Sequence, residues 1–427
     1  MFFNSLFKRV ENPIIFIPGL FGTFGSDILP GTGKLKFGPA GFVYNPMIKY
    51  LKSLGYEEGK NLFICYYNWR NKNYQSSVDY LYPLIKKVKD INGNKKINLV
   101  CHSMGGLVAR AYIESDFYEK DIDKLILLAT PNAGAVEAYY FWEGGDIPYE
   151  GIDENIFFKI LWKGFIWILK KYYKIDNNLE FYHNYFQSIK ELLPSKYYGD
   201  YLFVENPDGF KEFLSINEMK IKNEFLDDLN DNRDILYTRG VNIYQVLAYG
   251  KKTDAYISVK KDDNEDIWVD GEPLYSVQTI RGDGTVTFKS GCILYSKDTF
   301  LKGDHTSILK KSQPIVGSIL KGRTYYSKRD NKEENILSIM AENLKDIVVD
   351  NVTLNDNLDN GFNDFENICI IKIEDDYWIL VNKNKKISLK IKPFNNMLSK
   401  VTIIDKEKKG KLSVNKSIIK STLKIEI

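Results

Sequence analysis

Ser103 is the side chain around which chemistry could be organised. It lies in Ile97-Asn98-Leu99-Val100-Cys101-His102-Ser103-Met104-Gly105-Gly106, where an apolar run of strand character meets a hydroxyl among small residues and a helix-forming segment begins at once. That is the sequence of a nucleophile elbow: the serine sits in a strained turn, so its Oγ projects above the sheet while the next helix N-terminus lies beneath it. The pattern wants glycine two residues before the serine and two after, and here Cys101 fills the first place and Gly105 the second. So short a motif also recurs by chance, and its plain alternative is a buried serine at a strand-to-helix turn. Its weight depends on whether the chain also supplies a base, an acid and donors for an oxyanion.

Only three histidines can serve as the base. His102 adjoins the serine, but elbow geometry directs its side chain away. His183 falls in an aromatic stretch, where a packed or surface histidine is the plain reading. His305 comes late, in Gly303-Asp304-His305-Thr306 before the last helix, and a loop there could bring its imidazole over Ser103. The acid has two candidates. Asp254 follows a strand, and Asp283 lies in Arg281-Gly282-Asp283-Gly284-Thr285-Val286. The flanking glycines let Asp283 enter a narrow loop whose N–H groups keep it ionised, which favours it over Asp254, although Gly-Asp-Gly is also a common surface turn. The early loop Pro18-Gly19-Leu20-Phe21-Gly22-Thr23 can aim a main-chain N–H at a developing oxyanion, so Leu20 and Met104 are the expected donors. No histidine, cysteine or carboxylate spacing of metal-ligand type competes.

These residues need a scaffold. Pro13–Ile17, Asn61–Tyr67, Ile97–His102, Lys124–Ala129 and Val241–Gly250 are short apolar runs, separated by amphipathic segments such as Ser77–Asn92. That alternation predicts a mostly parallel α/β sheet with helices on both faces. Ligands gather at the strands' carboxyl ends in such sheets, where Leu20, Ser103 and Thr130–Gly134 would lie. From about 135 to 240 the alternation is lost in a segment dense in Tyr, Phe and Trp, as expected of an inserted helical cap. Within it, Glu154–Lys174 is amphipathic, with Lys159, Lys163 and Lys170 opposite Phe157, Leu161, Phe165, Ile168 and Tyr172. Such a helix can lie in a lipid headgroup layer, or simply pack on its own protein, as most do. Phe21 from the early loop, with Trp162 and Trp167 from this helix, are the candidates for substrate contact.

The domain division expected is a catalytic domain over 1–323, a polar linker over 324–335 and a β-rich module over 336–427. Period-two stretches such as Ile387–Ile391 and Leu423–Ile427 make that module an all-β sandwich, with no readable function. Lys and Arg total 59 against 56 Asp and Glu, so no overall field selects a nucleic acid partner. Four scattered cysteines without CxxC pairs read as reduced thiols, and the first residues lack a signal-peptide layout, so an intracellular location is expected. No apolar run is long enough to span a bilayer.

Together, Pro18–Thr23, Tyr67-Asn68-Trp69-Arg70, His102–Gly106, Gly282–Val286 and the late His305 resemble, in order, the motifs of the lecithin:cholesterol acyltransferase family, which includes lysosomal phospholipase A2. The resemblance runs over roughly residues 12 to 320 and leaves the C-terminal module uncovered. It implies an α/β hydrolase with a cap and lid, with Ser103 as nucleophile, Asp283 as acid, His305 as base, and Leu20 and Met104 as oxyanion donors. It further implies action on lipid esters through an acyl-enzyme passed to water or an alcohol, without a cofactor. Two departures stand out: Asn68 replaces the family's usual Asp before Trp-Arg, and nothing matches the disulfide-bonded lid of secreted relatives. Competing readings are a soluble carboxylesterase or triacylglycerol lipase, and a non-catalytic scaffold whose β module is the active part.

Overall fold

Aliphatic runs buried on both faces become the strands of one parallel sheet in the computed structural model. It describes residues 11–145, 156–260, 267–322, 336–350, 352–354, 361–365, 368–383, 386–394, 397–406 and 412–426. The opening residues Met1–Arg9 and the expected linker over 324–335 lie outside the described residues, as do the side chains of Phe157, Lys159, Leu161 and Trp162. Among the described residues ten strands precede residue 323: β1 (Ile14–Ile17), β2 (Leu62–Ile64), β3 (Ile97–His102), β4 (Ile122–Leu128), β5 (Leu202–Glu205), β6 (Lys211–Leu214), β7 (Asn242–Tyr249), β8 (Thr253–Lys260), β9 (Glu272–Thr279) and β10 (Lys297–Lys302). Six of them form the main sheet in the order β10-β7-β4-β3-β1-β2, every pair parallel. With helices such as Gly41–Ser53, Tyr82–Asn92 and Gly105–Ile113 flanking it, this is an α/β-hydrolase sheet.

Strand order decides where a ligand can enter. The chain passes from β1 to β2 on one side, then returns to place β3 on the other side of β1. Loops leaving β1 and β3 therefore diverge and open a crevice at their carboxyl ends. The loop beginning at Pro18 and the turn at Ser103 are those two loops. All six residues of β3 are buried, which sets the elbow on a rigid base.

Two features depart from the sequence reading. The segment expected to be a helical cap also contributes β5 and β6, which join β8 and β9 in a second sheet ordered β6-β5-β8-β9. The single last helix expected after His305 is split into Ile308–Lys311 and Gln313–Lys321, because Pro314 opens a new helix rather than continuing the old one. Among the described residues no helix is long and apolar enough to cross a membrane.

The C-terminal strands pair antiparallel in a six-stranded and a four-stranded sheet, a sandwich-like arrangement. Strand Asp376–Asn382 shows how it is used on both faces. Tyr377, Ile379 and Val381 pack into the core between the two sheets. Trp378 and Leu380 point the other way and join the hydrophobic core of the preceding domain. There they meet the long cap helix Ile156–Tyr173, whose Phe165, Ile166, Ile168 and Leu169 are buried and whose Lys171 pairs with Glu342 at 3.1 Å and Asp376 at 3.5 Å. Lys170 donates to Asp176 O and Asn178 Oδ1. Of the two readings of this helix, packing on its own protein is the arrangement seen.

Close approach at this joint requires a glycine. A Cβ on Gly164 would lie 2.0 Å from Trp378 Nε1 and 2.1 Å from its Cε2, and Trp378 is fully buried with its Nε1 donating to Ser338 Oγ. Alanine gains about 1 kcal/mol of helix propensity over glycine, while overpacking costs about 1–3 kcal/mol, and a gap this short calls for the upper end. Gly164→Ala is thus expected to lower the melting temperature; a variant that melts at or above wild type would count against this contact.

Candidate active site

Ser103 has φ +53, a left-handed conformation that non-glycine residues seldom adopt, and the helix Gly105–Ile113 starts two residues later. Its N–H donates to Leu128 O, which ties the elbow to β4. Space beneath and beside the turn is reserved by glycines. A Cβ on Gly105 would lie 2.6 Å from Ile17 O and 2.5 Å from Pro18 O, so only glycine lets helix and β1 approach so closely. A Cβ on Gly19 would come within 2.8 Å of Ser103 Cβ. Cys101, where the motif wants glycine, is fully buried in β3.

His305 and Asp283 reach the same place from distant sequence. His305 Nε2 lies 2.9 Å from Ser103 Oγ, and its Nδ1 lies 2.8 Å from Asp283 Oδ2. Asp283 Oδ1 accepts from the N–H groups of Thr285 and Val286 at 2.9 and 2.7 Å, and the carboxylate is 1% exposed. With Oδ1 taken by its own loop, Oδ2 is left for the imidazole. Main chains are tied too: His305 N–H donates to Asp283 O. Asp304, next to His305, accepts from Thr306 N–H, Thr306 Oγ and Ser307 N–H, so the loop is fixed on both sides of the imidazole. Asp254 is elsewhere, accepting on β8 from Ser276 Oγ and Gln278 Nε2.

Burial by itself would pull the His305 pKa down. The charge and hydrogen bond of Asp283, helped by Glu137 and Asp304, outweigh it and leave the value above 6.5. A base must be neutral to accept a proton, so kcat/KM on an uncharged ester should climb with pH through that raised value. Removing the Glu137 charge disfavours the imidazolium, so Glu137→Gln should move the acid limb of a pH–rate profile to lower pH. An unmoved or upward-moved limb would contradict this sign.

The early loop is pinned by the motif Tyr67-Asn68-Trp69-Arg70. Tyr67 OH donates to Pro18 O, Trp69 Nε1 to Thr23 O, and both Asn68 Nδ2 and Arg70 Nη2 to Asp27 O. Asn68 also accepts from Arg70 through Oδ1, so the departure from Asp serves local packing. Among the described residues no acceptor takes the N–H of Leu20 or of Met104. An open apolar cavity lies over Ser103 and His305, walled chiefly by Leu20, Phe21, Ala40, Val43, Pro131, Ala135 and Leu192. Phe21 thus lines it, packed on Trp69 and Phe165 at ring-centroid distances of 4.2 and 5.5 Å. Trp167 does not; it packs at the edge of the core with Lys171 near its ring. The Trp162 side chain lies outside the described residues. His183 stacks on Trp142 in the cap and is held by Trp142 O.

His102 and Tyr44 are the residues that sequence reading left out of the site. His102 points away from Ser103, as elbow geometry requires, yet its ring bonds Tyr44 OH and the His305 carbonyl. Tyr44 lies 58 residues from His102 in the chain, and no local pattern marks it.

Comparison with known proteins converges on the elbow half of the site. A family model described as lecithin:cholesterol acyltransferase matches residues 31–150. The chain is 36% identical over 97 residues to lecithin-cholesterol acyltransferase-like 4 of Arabidopsis thaliana, covering 22% of this chain and 18% of that protein. It is 32% identical over 122 residues to phospholipase A(1) LCAT3 of the same plant, covering 27% of each. The matched stretches are thus well under two-thirds of those relatives' own length. Distant structural likeness extends to a Bacillus licheniformis lipase, BlEst2, at 16% identity and TM-score 0.40, covering 73% of this chain and 93% of that one. It also extends to the Legionella pneumophila phospholipase PlaB, at 10% identity and TM-score 0.33, covering 95% and 89%. The fold itself rests on the strand order and the elbow described above. It is over residues 31–150, the stretch that carries Ser103, that this chain is similar to the lecithin:cholesterol acyltransferase family and its plant relatives.

Proposed function

We propose that the protein is a serine-dependent lipid-ester hydrolase or O-acyltransferase of phospholipase A or transacylase type. The observation that carries this reading is the continuous chain Asp283–His305–Ser103 beneath an apolar cavity. In it, His305 takes the Ser103 proton as Oγ attacks the ester carbonyl, and Asp283 holds the imidazole in the tautomer that leaves Nε2 free to accept. Leu20 and Met104, whose N–H groups are unspent, stabilise the oxyanion; Met104 sits at a helix N-terminus, where the dipole favours negative charge. His305 then returns the proton to the departing alcohol, and water or a second alcohol takes the acyl group from Ser103.

The apolar walls favour an acyl chain as occupant, with Phe21 as a contact. The relatives' names, an acyltransferase-like protein and a phospholipase A(1), support lipid esters as the class. We place catalysis within 1–323, with the cap inserted over about 135–240, and regard 336–427 as a module that braces the cap.

Labelling with a fluorophosphonate, followed by peptide mapping, tests the nucleophile; modification at Ser103 is expected, and modification elsewhere or none would overturn it. Incubation with phospholipid, with and without a long-chain alcohol, separates hydrolysis from transfer. Fatty acid alone indicates hydrolysis, and new alkyl ester indicates transfer. A jump in rate when substrate passes from dispersed to aggregated form separates a lipid-surface enzyme from a soluble carboxylesterase.

A further inference from the structure

The buried contacts around His102 have a determined direction. His102 Nε2 is 2.9 Å from His305 O, and a carbonyl only accepts, so Nε2 carries the proton. With that nitrogen protonated, the neutral ring's Nδ1 is bare and must accept; its neighbour is Tyr44 OH at 3.1 Å, which therefore donates. The Tyr44 oxygen in turn accepts from Gly19 N–H at 2.9 Å. Every donor has an acceptor in one line: Gly19 N–H to Tyr44, Tyr44 O–H to His102, His102 Nε2–H to the carbonyl of His305.

We propose that Tyr44 and His102 are positioning residues that join the oxyanion loop to the main chain of the base, fixing the distance between Gly19 and His305. His305 is then held at its N–H by Asp283 O, at its carbonyl by His102, and at its ring by Asp283 Oδ2. Gly19 sits against Ser103 Cβ, so a shift of the loop is felt at the nucleophile. Burial, with His305 close by, lowers the His102 pKa to about 3, and burial raises that of Tyr44, so both stay neutral and the direction of the line is preserved near neutral pH. This role presupposes the acyl-transfer reading of Ser103.

Tyr44→Phe is the informative variant, since it keeps the ring that lines the cavity and removes both hydrogen bonds of the hydroxyl. Misplacement by an ångström costs about 10²-fold in rate, so kcat and the second-order rate of fluorophosphonate labelling should fall by about that factor while KM hardly moves. His102→Leu should behave likewise, and His102→Gln, whose amide offers a donor and an acceptor, should recover much of the loss. Wild-type rates in folded Tyr44→Phe would overturn the proposal and leave the nucleophile reading intact. Absence of labelling at Ser103 in the wild type would overturn both. A second measurement is independent of activity: ¹⁵N-histidine NMR has only three side chains to resolve. His102 is expected in the Nε2–H tautomer and uncharged down to about pH 5, well below the ordinary histidine range. An Nδ1–H tautomer, or titration of His102 near the ordinary value, would overturn the direction of the line.

Discussion

Ser103→Ala is expected to lower kcat for ester turnover by on the order of 10⁶-fold, about 8 kcal/mol of transition-state stabilisation. The magnitude follows from what is lost: without Oγ no acyl-enzyme can form, and the remaining oxyanion donors act only on uncatalysed attack by water. The fold should survive. Ser103 N–H still donates to Leu128 O, and alanine carries the same Cβ in the same left-handed conformation, so strain is unchanged. Binding is expected to persist, because the cavity walls are apolar residues that the change does not touch. Substrate dissociation constants close to wild type, beside absent turnover, are therefore the anticipated pair of results. Turnover within about tenfold of wild type would mean that another group performs the chemistry. Ser103→Gly adds a check on the elbow. A left-handed non-glycine residue costs about 1–2 kcal/mol, which glycine relieves, against up to about 1 kcal/mol of extra unfolded-state entropy. Ser103→Gly should thus melt no lower than Ser103→Ala.

How far such a site can be read from sequence depends on what each residue's position is determined by. The pairing of Ser103 with His305 is legible because the proposed chemistry demands their types, the fold demands their order, and the chain has only three histidines. Leu20 and Met104 can be named from sequence as the proposed donors because that role needs only a main-chain group fixed by position after β1 and after Ser103. Tyr44 cannot be, since its hydroxyl matters only through partners 25 and 58 residues away. The same divide runs through the fold. β1, β3 and β4 are largely buried and rich in aliphatic residues, whereas β10, Lys297-Asp298-Thr299-Phe300-Leu301-Lys302, is an edge strand of exposed and half-buried positions, and it carries no such signal. Alternation gave away the C-terminal strands, but it could not tell that the outer face of Trp378 and Leu380 would close on the cap helix. That contact is also why a helix with an apolar face and two tryptophans need not meet lipid: Phe165 already packs on Phe21, Phe24 and Trp69, and Gly164 on Trp378.

Asp283→Asn should cost about 10⁴-fold in kcat, with little change in fold, because of which atom the asparagine presents to His305. The loop N–H groups of Thr285 and Val286 require an acceptor at the Oδ1 position, so the amide oxygen settles there and the NH₂ turns toward the imidazole. Nδ1 must then accept, which forces the ring proton onto Nε2, facing Ser103 Oγ. A base with its proton already on that nitrogen cannot take another while neutral. The loss of the carboxylate charge also lowers the His305 pKa, since Asp283 is the main group holding it up against burial, so the acid limb of the residual activity should move to lower pH. Asp254→Asn is the matched control. Its carboxylate accepts from Ser276 and Gln278, and an amide oxygen can keep those bonds, so activity should stay within about tenfold of wild type. If Asp254→Asn proved the more damaging of the two, the acid would have to be reassigned; if both were mild, His305 would be oriented by its main-chain anchors alone, the N–H to Asp283 O and the carbonyl to His102.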